Sequence, residues 1–272
     1  MISKNKLKLL RSLAVRKHRE EEGLFIAEGD KIVRDLLSAE GWKVRYLFAK
    51  KEWLRKLPEE MAAGVDEIIP VSFDELRRIS YLKTPHNVLA VAELPAWEIP
   101  SRVPAGELAL AFENIQDPGN LGTIIRTANW FGIRHLFCSP GSVDVFNPKV
   151  VQASMGAFLH VRVHYTLLEG LLLRSRTAGT AIYGTFLEGE PLFHAPLEQE
   201  ALVIFGNESK GISPALAAQI PRRLTIPPYG EKGKITNSLN ISTSAAVVCA
   251  FFRSRHGQTS LEMERKDPDL GT

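Results

Sequence analysis

The chain reads as an α/β protein in two parts. A small α/β unit comes first, and a larger unit built on a mostly parallel sheet with helices on both faces follows. Three observations carry that reading. Apolar strand-like runs alternate with helix-like stretches through the second half, the pattern of β–α–β crossovers. Several runs, such as Ala201-Leu202-Val203-Ile204-Phe205, are apolar at every position, as strands covered on both faces are. Between the parts, the stretch from Leu94 to Pro104 carries Pro95, Pro100 and Pro104, which stiffen it, disfavour a helix and mark a linker.

The elements follow in order. Leu7, Leu10 and Leu13-Ala14 recur at helical spacing and predict an amphipathic first helix. The basic start of the chain runs without a break into Glu20–Asp30, which suits a helix of the folded domain better than a transit peptide. Another helix is predicted after Glu28-Gly29-Asp30, with Ile32, Val33, Leu36 and Leu37 on its apolar face. Strands are predicted at Val44–Phe48, Glu67–Val71 and Val88–Val91, with a short helix at Phe73–Ile79. Beyond the linker, strands are predicted at Leu108–Phe112, His135–Cys138, Val161–Tyr165, Ala181–Thr185, Leu202–Phe205 and Leu224–Ile226. Helices are expected to begin near Leu121, Pro148, Thr166, Ser213 and Ser238. The expected organisation is a domain at 1–95, a linker at 96–105, a second domain at 106–256 and a flexible polar tail at 257–272.

Bulk properties narrow the function classes. The 272 residues are 44% apolar, ample for a sizeable core, and the net charge is only +3. Overall charge therefore does not announce a nucleic-acid binder, but its distribution is uneven. Lys4, Lys6, Lys8, Arg11, Arg16, Lys17 and Arg19 cluster before the first acid. Such a cluster serves either as a solvated helix face or as a neutraliser of phosphates. The two cysteines, Cys138 and Cys249, sit beside apolar residues and read as buried thiols, with no disulfide framework and no metal site. No run is long and apolar enough to span a bilayer, and no secretory signal opens the chain.

Three polar segments carry the chemistry. The first runs from Glu113 to Ala128 and joins a buried strand to a helix through Asp117-Pro118-Gly119-Asn120. Asn120 is a candidate helix cap, Gly132 is placed to end the helix, and Arg126 offers a planar fork of donors for a phosphate or carboxylate. The same pattern also fits a capped helix whose arginine meets a surface acid. The second is Gly206-Asn207-Glu208-Ser209-Lys210-Gly211, which also follows a buried strand. It is not a phosphate loop, because Ile212-Ser213 replaces the Lys-Ser/Thr pair. Glu208 would repel phosphate and suits a cation or a donor such as Arg126, while Ser213-Pro214 reads as an ordinary helix start. The third joins Ile226-Pro227-Pro228 to Ser238-Leu239-Asn240 and a long apolar helix. Ser238 either caps that helix or lines a site with Asn240.

In this order and context the three segments resemble the signature motifs of the SpoU/TrmH family of RNA ribose 2′-O-methyltransferases, in the SPOUT class. A fourth matching segment is Asn147-Pro148-Lys149-Val150-Val151-Gln152-Ala153-Ser154-Met155-Gly156-Ala157. Residues 1–95 resemble the family's ribosomal-protein-like substrate-binding domain, through the stretches Arg19–Phe25 and Ala27-Glu28-Gly29. The resemblance implies a C-terminal parallel-sheet methyltransferase domain tied in a trefoil knot, an exception to the rule that chains avoid threading. It implies S-adenosyl-L-methionine as cofactor, held by backbone groups of Gly206, Ile226 and Leu239. It implies a reaction centre lined by Asn120, Arg126, Glu208, Ser238 and Asn240, a homodimer, and a cytoplasmic enzyme away from membranes. RNA, ribosomal RNA first, is the implied partner, with Lys4, Lys6, Lys8, Arg11, Lys17 and Arg19 as expected contacts. One departure stands out: Tyr229–Asn237 lengthens the loop inside the third motif. Other readings are a resistance methyltransferase acting on ribosomal RNA, a transfer-RNA methyltransferase, and a non-catalytic RNA-binding or assembly protein.

Overall fold

A computed structural model of the chain describes residues 2–231 and 236–256. Lys232 to Ile235, in the lengthened loop, and the tail from residue 257 lie outside the described residues. The chain groups into two compact units. One comprises Met1–Glu98, Leu121–Arg126 and Val143–His160; the other comprises Ile99–Asn120, Thr127–Ser142 and the chain from Val161 on.

The first 98 residues hold α1 (Lys4–Ser12), α2 (Arg16–Glu22), β1 (Leu24–Glu28), α3 (Asp30–Ser38), β2 (Val44–Ala49), α4 (Lys51–Leu54), α5 (Glu59–Ala63), β3 (Val65–Pro70), α6 (Phe73–Ile79) and β4 (Val88–Glu93). The strands form one sheet in the order β1-β4-β2-β3, with β4 antiparallel to both neighbours and β2 parallel to β3. Leu10, Leu13, Ile26, Phe48, Leu76 and Val91 pack into its core. The predicted run of helix through Glu20–Asp30 is corrected here. Gly23, at φ 66°, ends α2, and Leu24–Glu28 is a fully buried strand. Ser72 and Glu75 exchange hydrogen bonds as a capping box, which fixes the start of α6 where the sequence predicts it.

Beyond residue 107 come β5 (Leu108–Phe112), α7 (Pro118–Trp130), β6 (His135–Cys138), α8 (Pro148–Ser154), a short 3-10 turn at Ala157–Leu159, β7 (Arg162–Tyr165), α9 (Leu168–Thr177), β8 (Ala181–Pro191), β9 (Ala201–Phe205), α10 (Pro214–Ala217), β10 (Arg222–Thr225) and α11 (Ile241–His256). The strands form a six-stranded sheet in the order β10-β8-β9-β5-β6-β7, and every pairing is parallel. β5 and β9 are buried at every residue, which is why their sequences lack the alternation of a half-exposed strand. Ala109, Ala111, Phe137, Leu171, Leu202 and Ile204 form the core of this unit. Cys138 and Cys249 are free and buried, and burial pushes both thiols up to about 12.

The segment Val143–His160, carrying α8, groups with the first unit. Phe146 and Phe158 lie 4.7 and 5.8 Å from Phe25, ring centre to ring centre. Trp42 packs edge-on against Phe158 and Trp97. Gly122 of α7 meets α8 so closely that a Cβ there would lie 2.4 Å from the Ala153 methyl, so no other residue fits without separating the two helices.

Candidate active site

The three polar segments all leave strand ends of the six-stranded sheet, two of them from neighbouring strands. β5 and β9 run parallel in register, with Phe112 opposite Phe205, and their rings stack 5.1 Å apart. The first and second motifs start from those two carboxyl ends, and the third starts from the end of β10. Ligands of parallel α/β sheets gather at such ends.

Asn120 joins the three. Its amide nitrogen donates to Glu208 Oε1 at 3.1 Å, and its carbonyl oxygen accepts from the Asn240 amide at 3.0 Å. Asn240 in turn accepts from the Ser242 backbone N–H at 2.9 Å and from the Ser242 hydroxyl. An ionised carboxylate can only accept, so Glu208 dictates which way the Asn120 amide points, and Asn120 dictates the orientation of Asn240. The result is a directional chain running Ser242, Asn240, Asn120, Glu208.

Two helix starts differ from expectation. Asn120 is not the cap of α7: Asp117 is, accepting from the Asn120 N–H at 2.8 Å, with Pro118 in the first turn. This frees the Asn120 side chain for the site. Ser238 is likewise not the cap of α11, which begins at Ile241. Asn240 takes the first-turn N–H, and the Ser238 carbonyl accepts from Thr236. Ser213 does cap α10, as expected, with its hydroxyl accepting from Leu216 N–H.

The second motif is a preformed loop. Asn207 and Gly211 exchange both backbone hydrogen bonds, at 3.0 and 2.9 Å, and the Asn207 side-chain oxygen Oδ1 accepts from the Ser209 and Lys210 N–H groups. A Cβ on Gly206 would lie 2.1 Å from the Gly211 carbonyl carbon, so only glycine can stand there. Asn207 also ties this loop to the first motif, donating to the Asn114 carbonyl at 2.8 Å. Asn114 holds φ at 57°, sparsely populated for a non-glycine residue, and its N–H donates to Ser139 Oγ. Sequence reasoning assigned no role to Asn114, Asn207 or Ser139. The signal for the first two was present, since asparagine tolerates left-handed backbone and bonds its own turn.

The remaining expected residues are placed as follows. Glu208 takes its hydrogen bonds from asparagine amides, where the sequence suggested an arginine or cation. Arg126 lies six residues past Asn120 on α7, about 120° around the axis, so the two do not share a helix face. It is exposed, and its side chain makes no hydrogen bond or ion pair among the described residues. The backbone groups of Gly206, Ile226 and Leu239 take no hydrogen bond among the described residues. In the first unit, Lys4, Lys8 and Arg11 are exposed along one face of α1, whereas Lys6 is paired with Glu67 at 2.7 Å and Lys17 faces Glu21 at 3.7 Å. Arg19 is corrected: it is 2% exposed, gives Nε to Asp144 at 2.9 Å and Nη1 to the Leu13 and Ala14 carbonyls, and has no fork left for RNA.

Among the described residues no cluster of His, Cys, Asp and Glu could hold a metal ion, and no helix is long and apolar enough to cross a membrane. The site therefore offers amides, one carboxylate and open backbone groups, which suit holding and aligning a neutral or cationic ligand.

Residues 107–250 match the model of the SpoU rRNA methylase family. The chain belongs to that family. In this SpoU methylase, residues 4–90 match a second model, an MRM3-like substrate-binding domain. The 23S rRNA (guanosine(2553)-2′-O)-methyltransferase RlmP of Bacillus subtilis (strain 168) is 28% identical over 249 residues, covering 91% of this chain and 96% of that protein. A putative RNA methyltransferase of the TrmH family from Porphyromonas gingivalis superposes with a TM-score of 0.81 at 42% identity, over 94% of this SpoU methylase and 99% of that chain. An AdoMet-bound rRNA methyltransferase from Sinorhizobium meliloti gives 0.81 at 26% identity, over 94% and 97% of the two chains.

Proposed function

We propose that this SpoU methylase transfers a methyl group from S-adenosyl-L-methionine to a ribose 2′-hydroxyl of RNA, with 23S ribosomal RNA as the substrate. The observation that carries this reading is the Asn240–Asn120–Glu208 chain, which locks the three motif loops together at the strand ends. Methyl transfer from a sulfonium needs little covalent help, because the methyl is already electrophilic. Alignment of the 2′-oxygen is the main task, and well-held geometry supplies several kcal/mol.

The residues fit that cofactor. The unused backbone groups of Gly206, Ile226 and Leu239 can hold an adenosine and its ribose, and the Asn207–Gly211 bridge keeps the loop in place beforehand. Glu208 and Asn120 present fixed acceptors for the ribose hydroxyls or the positive sulfonium end. The Arg126 guanidinium, a donor only, stabilises the 2′-oxygen as its proton passes to solvent water and the methyl leaves the sulfonium, which departs as the neutral thioether S-adenosylhomocysteine. Lys4, Lys8 and Arg11 form the RNA-facing stripe of the first 95 residues, joined by the 96–105 linker to the methyltransferase domain at 106–256. The knot, a homodimer and a cytoplasmic setting belong to the same reading. Val247, Ala250 and Phe251, apolar and incompletely buried along α11, supply a face for the second copy.

The test is methyl transfer from labelled S-adenosylmethionine to total ribosomal RNA of a strain lacking the gene. One 2′-O-methyl position should appear in 23S RNA. Incorporation into no RNA, by a folded protein that binds the cofactor, would refute the reading.

A further inference from the structure

The first unit contains a cavity of about 240 Å³, distinct from the motif loops, between β1, the segment after α6, and α8. Its walls are mainly apolar, from Ile26, Leu82 and Pro148. Glu28, at the end of β1, contributes a carboxylate to this lining although it is only 6% exposed. Its two oxygens each accept one hydrogen bond, Oε2 from the Ser80 hydroxyl at 2.6 Å and Oε1 from the Tyr81 N–H at 2.7 Å. A carboxylate has about four acceptor positions, so roughly half of this one is unclaimed.

A buried carboxylate normally finds a cation. Among the described residues none forms an ion pair with Glu28. Burial raises its pKa against the lowering effect of those two hydrogen bonds and of the more distant His86. On the facing side, Lys149 and Gln152 of α8 lie one turn apart and also line the cavity. Lys149 is exposed and makes no ion pair among the described residues. The cavity lining thus combines apolar side chains with a carboxylate held in place by two hydrogen bonds, a side-chain amide and a lysine cation.

That volume admits a single ring system, and an occupant that uses the whole lining presents adjacent N–H donors to the carboxylate and negative charge to Lys149. Among nucleobases guanine has two adjacent donors on its Watson–Crick edge, the ring N–H and the exocyclic amine. Unpaired bases in RNA loops are read on that edge. We propose that this cavity is a subsite for an unpaired guanine of the RNA substrate, with Glu28 accepting from its Watson–Crick edge, Gln152 bonding its polar rim and Lys149 meeting the adjoining phosphate. The assignment rests on the reading that the protein acts on RNA. It adds a base-specific contact away from the methyl-transfer site, one that would help to select which RNA is bound.

The test uses ligand-observed saturation-transfer NMR on the full chain, saturated with S-adenosylhomocysteine to close the cofactor site to nucleotides. GMP, IMP, AMP, CMP and UMP are compared. GMP should bind at least about fivefold more tightly than the rest, as expected for one bidentate base contact, and IMP, lacking the exocyclic amine, should group with the others. Glu28→Gln should erase the preference, because its amide sets an N–H against the donors of guanine. Lys149→Ala should weaken GMP but not guanosine. Affinity for S-adenosylhomocysteine reports that each variant is folded. If Glu28→Gln does not fold, Gln152→Ala and Lys149→Ala on α8 decide. Equal binding of all five nucleotides to the wild type overturns the proposal, as does a full guanine preference in folded Glu28→Gln or in both α8 variants. Intact methyl transfer to ribosomal RNA alongside such a result would sink the guanine subsite alone. Absence of methyl transfer with a guanine preference would sink the enzymatic reading alone.

Discussion

Replacing Arg19 tests the division between grip and scaffold. Its guanidinium gives both Nε and Nη2 to Asp144 Oδ2, and Nη1 to two carbonyls, of Leu13 and Ala14. Asp144 is itself only 13% exposed at its side chain. Arg19→Met keeps the apolar stem but leaves a largely buried carboxylate and two carbonyls without their donors. Removing one partner of a buried pair costs about 3–5 kcal/mol. Against a typical total of about 5–15 kcal/mol, that is a large share. Urea unfolding followed by tryptophan fluorescence should show the loss, since Trp42 and Trp97 pack around Phe146, two residues from Asp144. Adding Asp144→Asn removes the stranded charge while keeping an acceptor for the Phe146 N–H, so the double variant should recover at least about 1 kcal/mol. At temperatures where Arg19→Met stays folded, the salt slope of its RNA binding should equal that of the wild type. A stability loss below about 1 kcal/mol together with a flatter slope would refute the assignment and return Arg19 to the phosphate contacts.

The other predictions address the site and its surroundings. Asn120→Ala cuts both side-chain bonds of the cluster, so single-turnover methylation should slow by about 10²-fold while unfolding stability falls by only about 1 kcal/mol; a rate within a factor of three would remove Asn120 from the reaction centre. Arg126→Ala should nearly abolish transfer with cofactor affinity close to wild type, and Arg126→Lys should not rescue it, since an ammonium lacks the planar fork; near-normal rates would leave Arg126 a mere helix residue. Changing Lys4, Lys8 and Arg11 together to Ala should lower the salt slope of RNA binding by about one unit for each phosphate no longer neutralised, and an unchanged slope would take α1 off the RNA. His135 and His164 face each other at 3.0 Å on β6 and β7, and burial pushes His164 down to about 4. Stability from this pair is complete above the unfolded value near 6.5 and is lost as pH falls toward about 4. The melting temperature should therefore drop more steeply between pH 6.5 and 4.5 in the wild type than in His164→Gln, by roughly 4–8 °C for a loss of about 2 kcal/mol; parallel curves would contradict it.

Where the sequence was legible, burial on both faces made it so. Leu108–Phe112 and His135–Cys138 appear at their expected bounds because nothing in them alternates. β1 was missed because its five apolar-leaning residues follow a charged helix and precede another, leaving no turn cluster to announce a strand. β8 runs on to Pro191, six residues past expectation, through Leu187-Glu188-Gly189-Glu190, which is exposed and held by pairing with β10 across a register shift rather than by its own composition. At the site, the motifs pointed to Asn120, Glu208 and Asn240 individually. That they form one chain was not readable, because the contacts span 88 and 120 residues of sequence. The two misassigned caps have different sources: Asn120 lies inside α7 and turns its side chain to the other loops while Asp117 takes the backbone, whereas α11 starts three residues past Ser238, where Asn240 both joins the loops and takes the first-turn N–H.

The packing of Phe25 against Phe146 and Phe158, with the Arg19–Asp144 pair, bears on how such proteins are inherited. The proline-rich linker looks like a natural seam for recombination. A break there would pass on residues 143–160 with two bare phenyl rings and an unmatched acid, all fitted to a partner left behind. Lineages that trade their RNA-recognising module for another must therefore change positions 144, 146 and 158 at the same time. Variation at those positions should track the identity of the N-terminal module more closely than it tracks the methyl-transfer chemistry encoded around them.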